Sequence, residues 1–142
     1  MKKTSLLITL LTLLYLPLTQ ANWLTMGVLD EQGKPAGCFV ISENPQSTIQ
    51  LLYNQKMKLG KIKFKSKIKT GNPKVPFTSL KVKGTRIVFS KADKNTPKKI
   101  VKLFKRGRTA ILKAKNGQKV RVNLTGFSRA LKNCQIMMKN KR

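Results

Sequence analysis

Between residues 61 and 69 the chain reads KIKFKSKIK, with lysine at every odd position. This alternation admits one regular conformation. On a helix, with its period of 3.6, the lysines point in all directions and no dry face remains. On a strand, successive side chains take opposite faces. Ile62, Phe64 and Ile68 then point inward together, and Lys61, Lys63, Lys65, Lys67 and Lys69 share the outer face. Such a row repeats every ~6.7 Å over about 27 Å. It reads either as a binding face for polyanions or as a solvated strand face that blocks edge-to-edge aggregation.

The surrounding pattern extends the β reading. NWLTMGVL (22–29), GCFVIS (37–42) and TIQLLYN (48–54) are short apolar, β-compatible runs separated by DEQGKP and ENPQ, whose Gly and Pro break the chain. FTSLKVK and RIVFS follow as two further strands joined near Gly84. TAILKAK and VRVNLT flank Asn116-Gly117, a dipeptide favoured in tight hairpins. Two segments change period. In NTPKKIVKLFKRG, Asn95 or Thr96 caps, Pro97 suits the first helical position and Gly107 the stop, with Ile100, Leu103 and Phe104 on one face. In GFSRALKNCQIMM, Phe127, Ala130, Leu131 and Cys134 fall at i, i+3, i+4 and i+7. About seven strands, one short crossover helix and a C-terminal helix make a mainly β protein, a β-sandwich.

The first residues do not belong to that domain. Lys2 and Lys3 precede the uncharged run SLLITLLTLLYLPL, and TQA ends it with small residues at 19 and 21. This is the order of a secretory signal peptide over residues 1–21, and Pro17 breaks the run before it reaches the ~20 apolar residues of a spanning helix. A single domain of 121 residues, 22–142, follows with no further transmembrane segment. In it 29 basic residues face Asp30, Glu31, Glu43 and Asp93, a net charge of about +25. Charge of that size favours anionic surroundings: lipopolysaccharide, acidic glycans, anionic lipid or nucleic acid. The periodic 40% of hydrophobic residues argues for a folded core over disorder.

Cys38 and Cys134 are the only cysteines. In the oxidising compartment that an export signal leads to, a pair tends to bridge, and closing a loop of ~100 residues contributes roughly 4.7 kcal/mol in the chain-entropy model. Two buried thiols or an intermolecular bond are the alternatives. The chain has no histidine and no close cysteine spacing, so neither a metal site nor a Cys-x-x-Cys redox pair is expected. General-base histidine and a phosphate-binding glycine loop are both missing, and Asp30-Glu31 sits in a turn signal as a solvated pair. No enzyme and no cofactor is expected. The aromatic residues alternate into apolar faces, which leaves nucleic-acid binding as the second reading.

IVKLFKRGRTAILKAKNGQKVRVNLTGFSRALKNC (100–134) resembles the closing segment of the invasion-associated locus B family of Gram-negative bacteria. The family's helix, hairpin and Ser-Leu-x-Gly-Phe-like motif correspond here to Leu124, Gly126 and Phe127, with Ala130 at the small position and Asn123 in place of the serine. CFVISENP from Cys38 is similar to the family's first cysteine strand, with Asn44 added before Pro45. The resemblance implies an immunoglobulin-like sandwich, a Cys38–Cys134 disulfide, and a virulence-related role in the periplasm, at the bacterial surface or in host-cell entry. It implies no catalytic residues. Leu124, Gly126, Phe127 and Ala130 read as structural.

Overall fold

Short turns decide which strands meet. The computed structural model describes residues 23–68 and 74–139, so the expected signal peptide over 1–21 and Lys69 lie outside the described residues. β1 (Trp23–Leu29), β2 (Pro35–Asn44), β3 (Ser47–Asn54) and β4 (Leu59–Ser66) form one antiparallel sheet in chain order. An Asp or Asn side chain organises each of its three hairpins. Asp30 Oδ1 accepts from the Gln32 and Lys34 amides, both at 2.9 Å. Asn44 Oδ1 accepts from Gln46 and Ser47, both at 2.8 Å. Asn54 Oδ1 accepts from Lys56 and Lys58 at 2.9 and 3.0 Å. These side chains mimic backbone turns and fold each strand back on its predecessor.

The second sheet has the order β6-β5-β7-β8 and contains β5 (Phe77–Val82), β6 (Thr85–Val88), β7 (Thr109–Ala114) and β8 (Lys119–Asn123). Lys83 and Gly84 close the β5–β6 hairpin, both at positive φ (51° and 81°), as the tightest hairpin turns require. From β6 the chain passes through a 3-10 turn, Phe89–Lys91, and helix α1, Thr96–Arg106, before β7 adds to the other edge of β5. RIVFS therefore ends as a strand at Val88. Phe89 turns aside and stacks on Phe64 with centroids 4.8 Å apart. Helix α2, Phe127–Lys139, closes the described chain and packs on β1 and β2.

The result is mainly β: eight strands in two antiparallel sheets with a crossover helix and a C-terminal helix, as the periodicities predict. The first four strands fill one sheet and the last four the other. This segregated order differs from the interleaved strands of an immunoglobulin domain. Its physical reason is the run of hairpins above, which leaves no strand free to change sheets.

The inward halves of both sheets meet the apolar faces of the helices in one core. Val40, Ile49, Leu51, Leu80, Leu112, Val120 and Val122 are all at most 1% exposed. Trp23, Phe104 and Phe127 bind β1, α1 and α2 together. Phe127 stands edge-on to both partners at 4.9 and 5.4 Å, and Trp23 lies 5.8 Å from Phe104. The Trp23 indole N–H donates to the Asn123 carbonyl at 2.8 Å, which ties β1 of the first sheet to β8 of the second. Helix α1 ends at Gly107, where the backbone turns extended and only glycine fits: a Cβ there would collide with Val82 and crowd Leu124. Gly126, at φ 94°, supplies the left-handed corner that lets the chain turn from β8 into α2.

Cys38 and Cys134, both fully buried, form a disulfide between β2 and α2 with Cα atoms 6.0 Å apart. It spans 96 residues of sequence and anchors the C-terminal helix on the first sheet. Replacing both cysteines by alanine is expected to cost about 2–5 kcal/mol of stability, read by urea unfolding of the oxidised wild type beside the variant. Equal midpoints would show that the bond adds nothing to the fold.

Candidate polyanion-binding faces

The row that opened the sequence lies on β4, an edge strand paired only with β3. Lys61, Lys63 and Lys65 are exposed on its outer face, with Lys63 opposite Gln50 and Lys65 opposite Thr48. Lys67 leaves the row. The strand ends at Ser66, and the Lys67 ammonium, half-buried, meets Glu43 Oε1 at 2.9 Å and the Asn44 carbonyl at 3.1 Å. These two contacts tie the end of β4 to the β2–β3 turn. Three lysines of the row thus face solvent among the described residues.

A denser array, not anticipated from the sequence, covers the outer face of the second sheet. In register, Lys81 lies between Arg86 on β6 and Ile111 on β7. Ile111 faces Arg121 on β8, and Lys113 faces Lys119. Lys81, Arg86, Lys113 and Lys119 line, with Ile111, a depression of about 280 Å³ that reaches the buried Ser79, and Arg121 stands opposite Ile111 beside it. Like charges directly opposite each other weaken a sheet. Both Lys81–Arg86 and Lys113–Lys119 break that rule, and no carboxylate pairs with them among the described residues.

The four acids are occupied elsewhere or lie apart. Asp30 organises its turn, Glu43 meets Lys67, and Glu31 is exposed beside Asp30. Asp93 organises the turn that leads into helix α1: its Oδ1 accepts from the Asn95 and Thr96 amides at 2.8 and 3.1 Å. The helix begins at Thr96 with Asn95 in the capping position, one of the two residues expected there, but it is the Asp93 carboxylate that takes up the first amides. The Asn95 side chain makes no capping bond.

A third basic feature is a groove of about 720 Å³ between α1, α2 and the β3–β4 turn. Met57, Leu59, Val101 and Leu131 give it an apolar floor, and Lys58, Lys94, Lys98, Lys102 and Lys105 fringe it. The Tyr53 phenol lies in that floor, and burial pushes it from the ordinary value near 10 up to about 12.

The cysteine pair and the corner motif perform structural work. Phe127 is fully buried, Ala130 and Leu124 are each 3% exposed, and Gly126 supplies the positive φ. Among the described residues no group of three Cys, Asp or Glu converges on one point, and no helix is long and apolar enough to cross a membrane. No family model, curated protein or solved structure matches the chain.

Two outcomes follow. Changing Lys113→Gln together with Lys119→Gln is expected to stabilise the fold by about 0.2–1 kcal/mol at low ionic strength, and the gain shrinks as salt is added. Urea midpoints at two salt concentrations read it, and an unchanged low-salt midpoint refutes repulsion between the pair. The raised Tyr53 phenol contributes stability that is fully present below the ordinary tyrosine value near 10 and is lost as pH climbs through about 12. Between those limits the wild type should lose more stability than Tyr53→Phe, in which lysine titration is the same and the phenol is gone. Parallel losses in alkaline urea titrations would contradict it.

Proposed function

We propose that this is an exported, non-enzymatic protein of the Gram-negative envelope or cell surface, of the invasion-associated type, whose basic faces hold anionic polymers. The observation that carries the reading is the outer face of the second sheet, where Lys81, Arg86, Lys113, Lys119 and Arg121 stand in register without a carboxylate among the described residues. Such an array costs stability in the free protein. An acidic polymer lying across it relieves the repulsion and releases its own counterions. A rigid sheet holds these charges at spacings of about 4.8 Å between strands and ~6.7 Å along them, close enough for one chain of carboxylates, sulfates or phosphates to bridge several.

The disulfide fits an oxidising compartment, periplasm or cell surface. The positive φ of Gly126, the buried Phe127 beside it and the bridge between the two cysteines support the reading drawn from the family resemblance. Single-stranded nucleic acid is the weaker partner. Stacking on bases needs exposed rings, and Trp23, Phe104 and Phe127 are packed into one another at 7% exposure or less.

The test is a salt series against heparin, lipopolysaccharide and duplex DNA, using protein recovered after export with its N-terminus read by mass spectrometry. Lys81→Gln/Lys113→Gln/Lys119→Gln is compared with Lys61→Gln/Lys63→Gln/Lys65→Gln, which removes the same charge from β4. The second-sheet variant is expected to lose more affinity and to flatten the salt slope by about one unit per lost contact. Equal losses from both variants would reduce the binding to net charge and end the assignment of a face.

A further inference from the structure

The two outer sheet faces have opposite chemistry. On the first sheet, Met26 lies opposite Phe39, and Phe39 opposite Leu52. One row along, Leu24 lies opposite Ile41, Ile41 opposite Gln50, and Gln50 opposite Lys63. Leu24, Met26 and Leu52 are 61%, 54% and 40% exposed, with Phe39 and Ile41 half-buried between them. The opposite face of β1 is occupied by α2: the Thr25 hydroxyl donates to the Ala130 carbonyl at 2.6 Å, and Gly27 lies against Met137. The outward side chains have no layer over them among the described residues. Across about 14 Å from β1 to β4, the face passes from large apolar side chains to the lysines of β4.

Monomeric proteins rarely leave a contiguous apolar patch open without a use for it. The charge beside this one selects the occupant. A second copy would bring another strongly cationic domain against the first, a repulsion that opposes self-association. A hydrophilic polyanion satisfies the lysines and leaves Leu24 and Met26 wet. A surface that is negatively charged on top and apolar a few ångströms below matches both halves. Lysine stems run along apolar surface while their ammonium groups reach outward, so Lys61, Lys63 and Lys65 meet headgroup phosphates as the β1 side sinks among the acyl chains, in the manner of interfacial amphipathic segments.

We propose that the outer face of the first sheet docks the protein on an anionic phospholipid bilayer, with Leu24 and Met26 inserted and Lys61, Lys63 and Lys65 on the headgroups. This rests on the reading that the cations engage anions, and it names a partner for a face distinct from the array on the second sheet. The experiment is vesicle flotation of the exported protein, its N-terminus read as above, with neutral phosphatidylcholine vesicles and with vesicles containing phosphatidylglycerol. Leu24→Ser/Met26→Ser removes the apolar half, and both positions are exposed enough to spare the core; an unchanged thermal midpoint verifies this. Heparin binding is measured on the same samples.

The wild type is expected to float with the anionic vesicles and not with the neutral ones. The apolar variant should lose partition about tenfold or more while binding heparin as before, and Lys61→Gln/Lys63→Gln/Lys65→Gln should lose vesicle binding as well. An apolar variant that floats like the wild type overturns the insertion. So does a wild-type dimer in sedimentation that Leu24→Ser/Met26→Ser dissolves, because the face then belongs to a second copy. Failure of every form to bind heparin overturns the polymer reading instead, and leaves the flotation result to decide the bilayer separately.

Discussion

A chain with 31 basic and four acidic residues pushes itself apart, and everything else in this structure depends on what holds it together. The restraint is concentrated where the C-terminal helix meets the first sheet. Phe127 opens that helix between Trp23 and Phe104, and Cys134, two turns on, is bonded to Cys38 on β2. Aromatic pairs of this kind contribute about 0.5–1.5 kcal/mol each beyond their buried area, and the disulfide removes loop freedom from an unfolded chain that the charge already expands. The Trp23 indole bond to Asn123 then draws the second sheet in. Gly126 makes this meeting geometrically accessible, since it alone turns β8 into the helix at a positive φ.

With the interior closed in this way, the charge is driven entirely outward, and its distribution follows from the few acids available. Asp30 and Asp93 are consumed in turn and helix-start hydrogen bonds, and Glu43 holds Lys67. The remaining cations sort by element. The second sheet carries a two-dimensional lattice, α1 carries a lysine fringe above an apolar groove, and β4 carries a single row beside a greasy face. Three different surfaces thus arise from one composition. Self-repulsion that is a burden to the fold becomes affinity wherever a negative surface lies across it.

Residues whose environment is set within one strand or one helix were legible in advance. Ile62 and Phe64 turn inward because alternation leaves them no other face, and Ile100, Phe104, Phe127, Ala130, Leu131 and Cys134 are buried as a period of 3.6 requires. The end of an element was less legible. Lys67 obeys the alternation by position, yet the strand stops one residue before it, and Glu43, 24 positions away, captures it. Phe89 continues an apolar run by composition, but its ring finds Phe64 and leaves the strand. The β-sandwich, the two helices and the cysteine bridge were all readable from the residues. The segregation of strands between sheets was not, because an apolar strand pattern does not say which sheet receives it.

The basic lattice shows where local reading ends. Lys81, Lys113, Lys119 and Arg121 each occupy the outward position of an ordinary alternating strand, and singly none is distinguishable from a solvated residue. The same holds for Leu24 and Met26 on β1 and Leu52 on β3. The sequence by itself determined the periods, the turns at Asx, Gly and Pro, the inward faces and the excess of charge. These depend on backbone sterics and side-chain direction over a few residues. Only the tertiary structure decided which outward side chains stand side by side, because strand register and sheet order are set by pairings between distant segments, and the faces that meet a partner exist only after those pairings form.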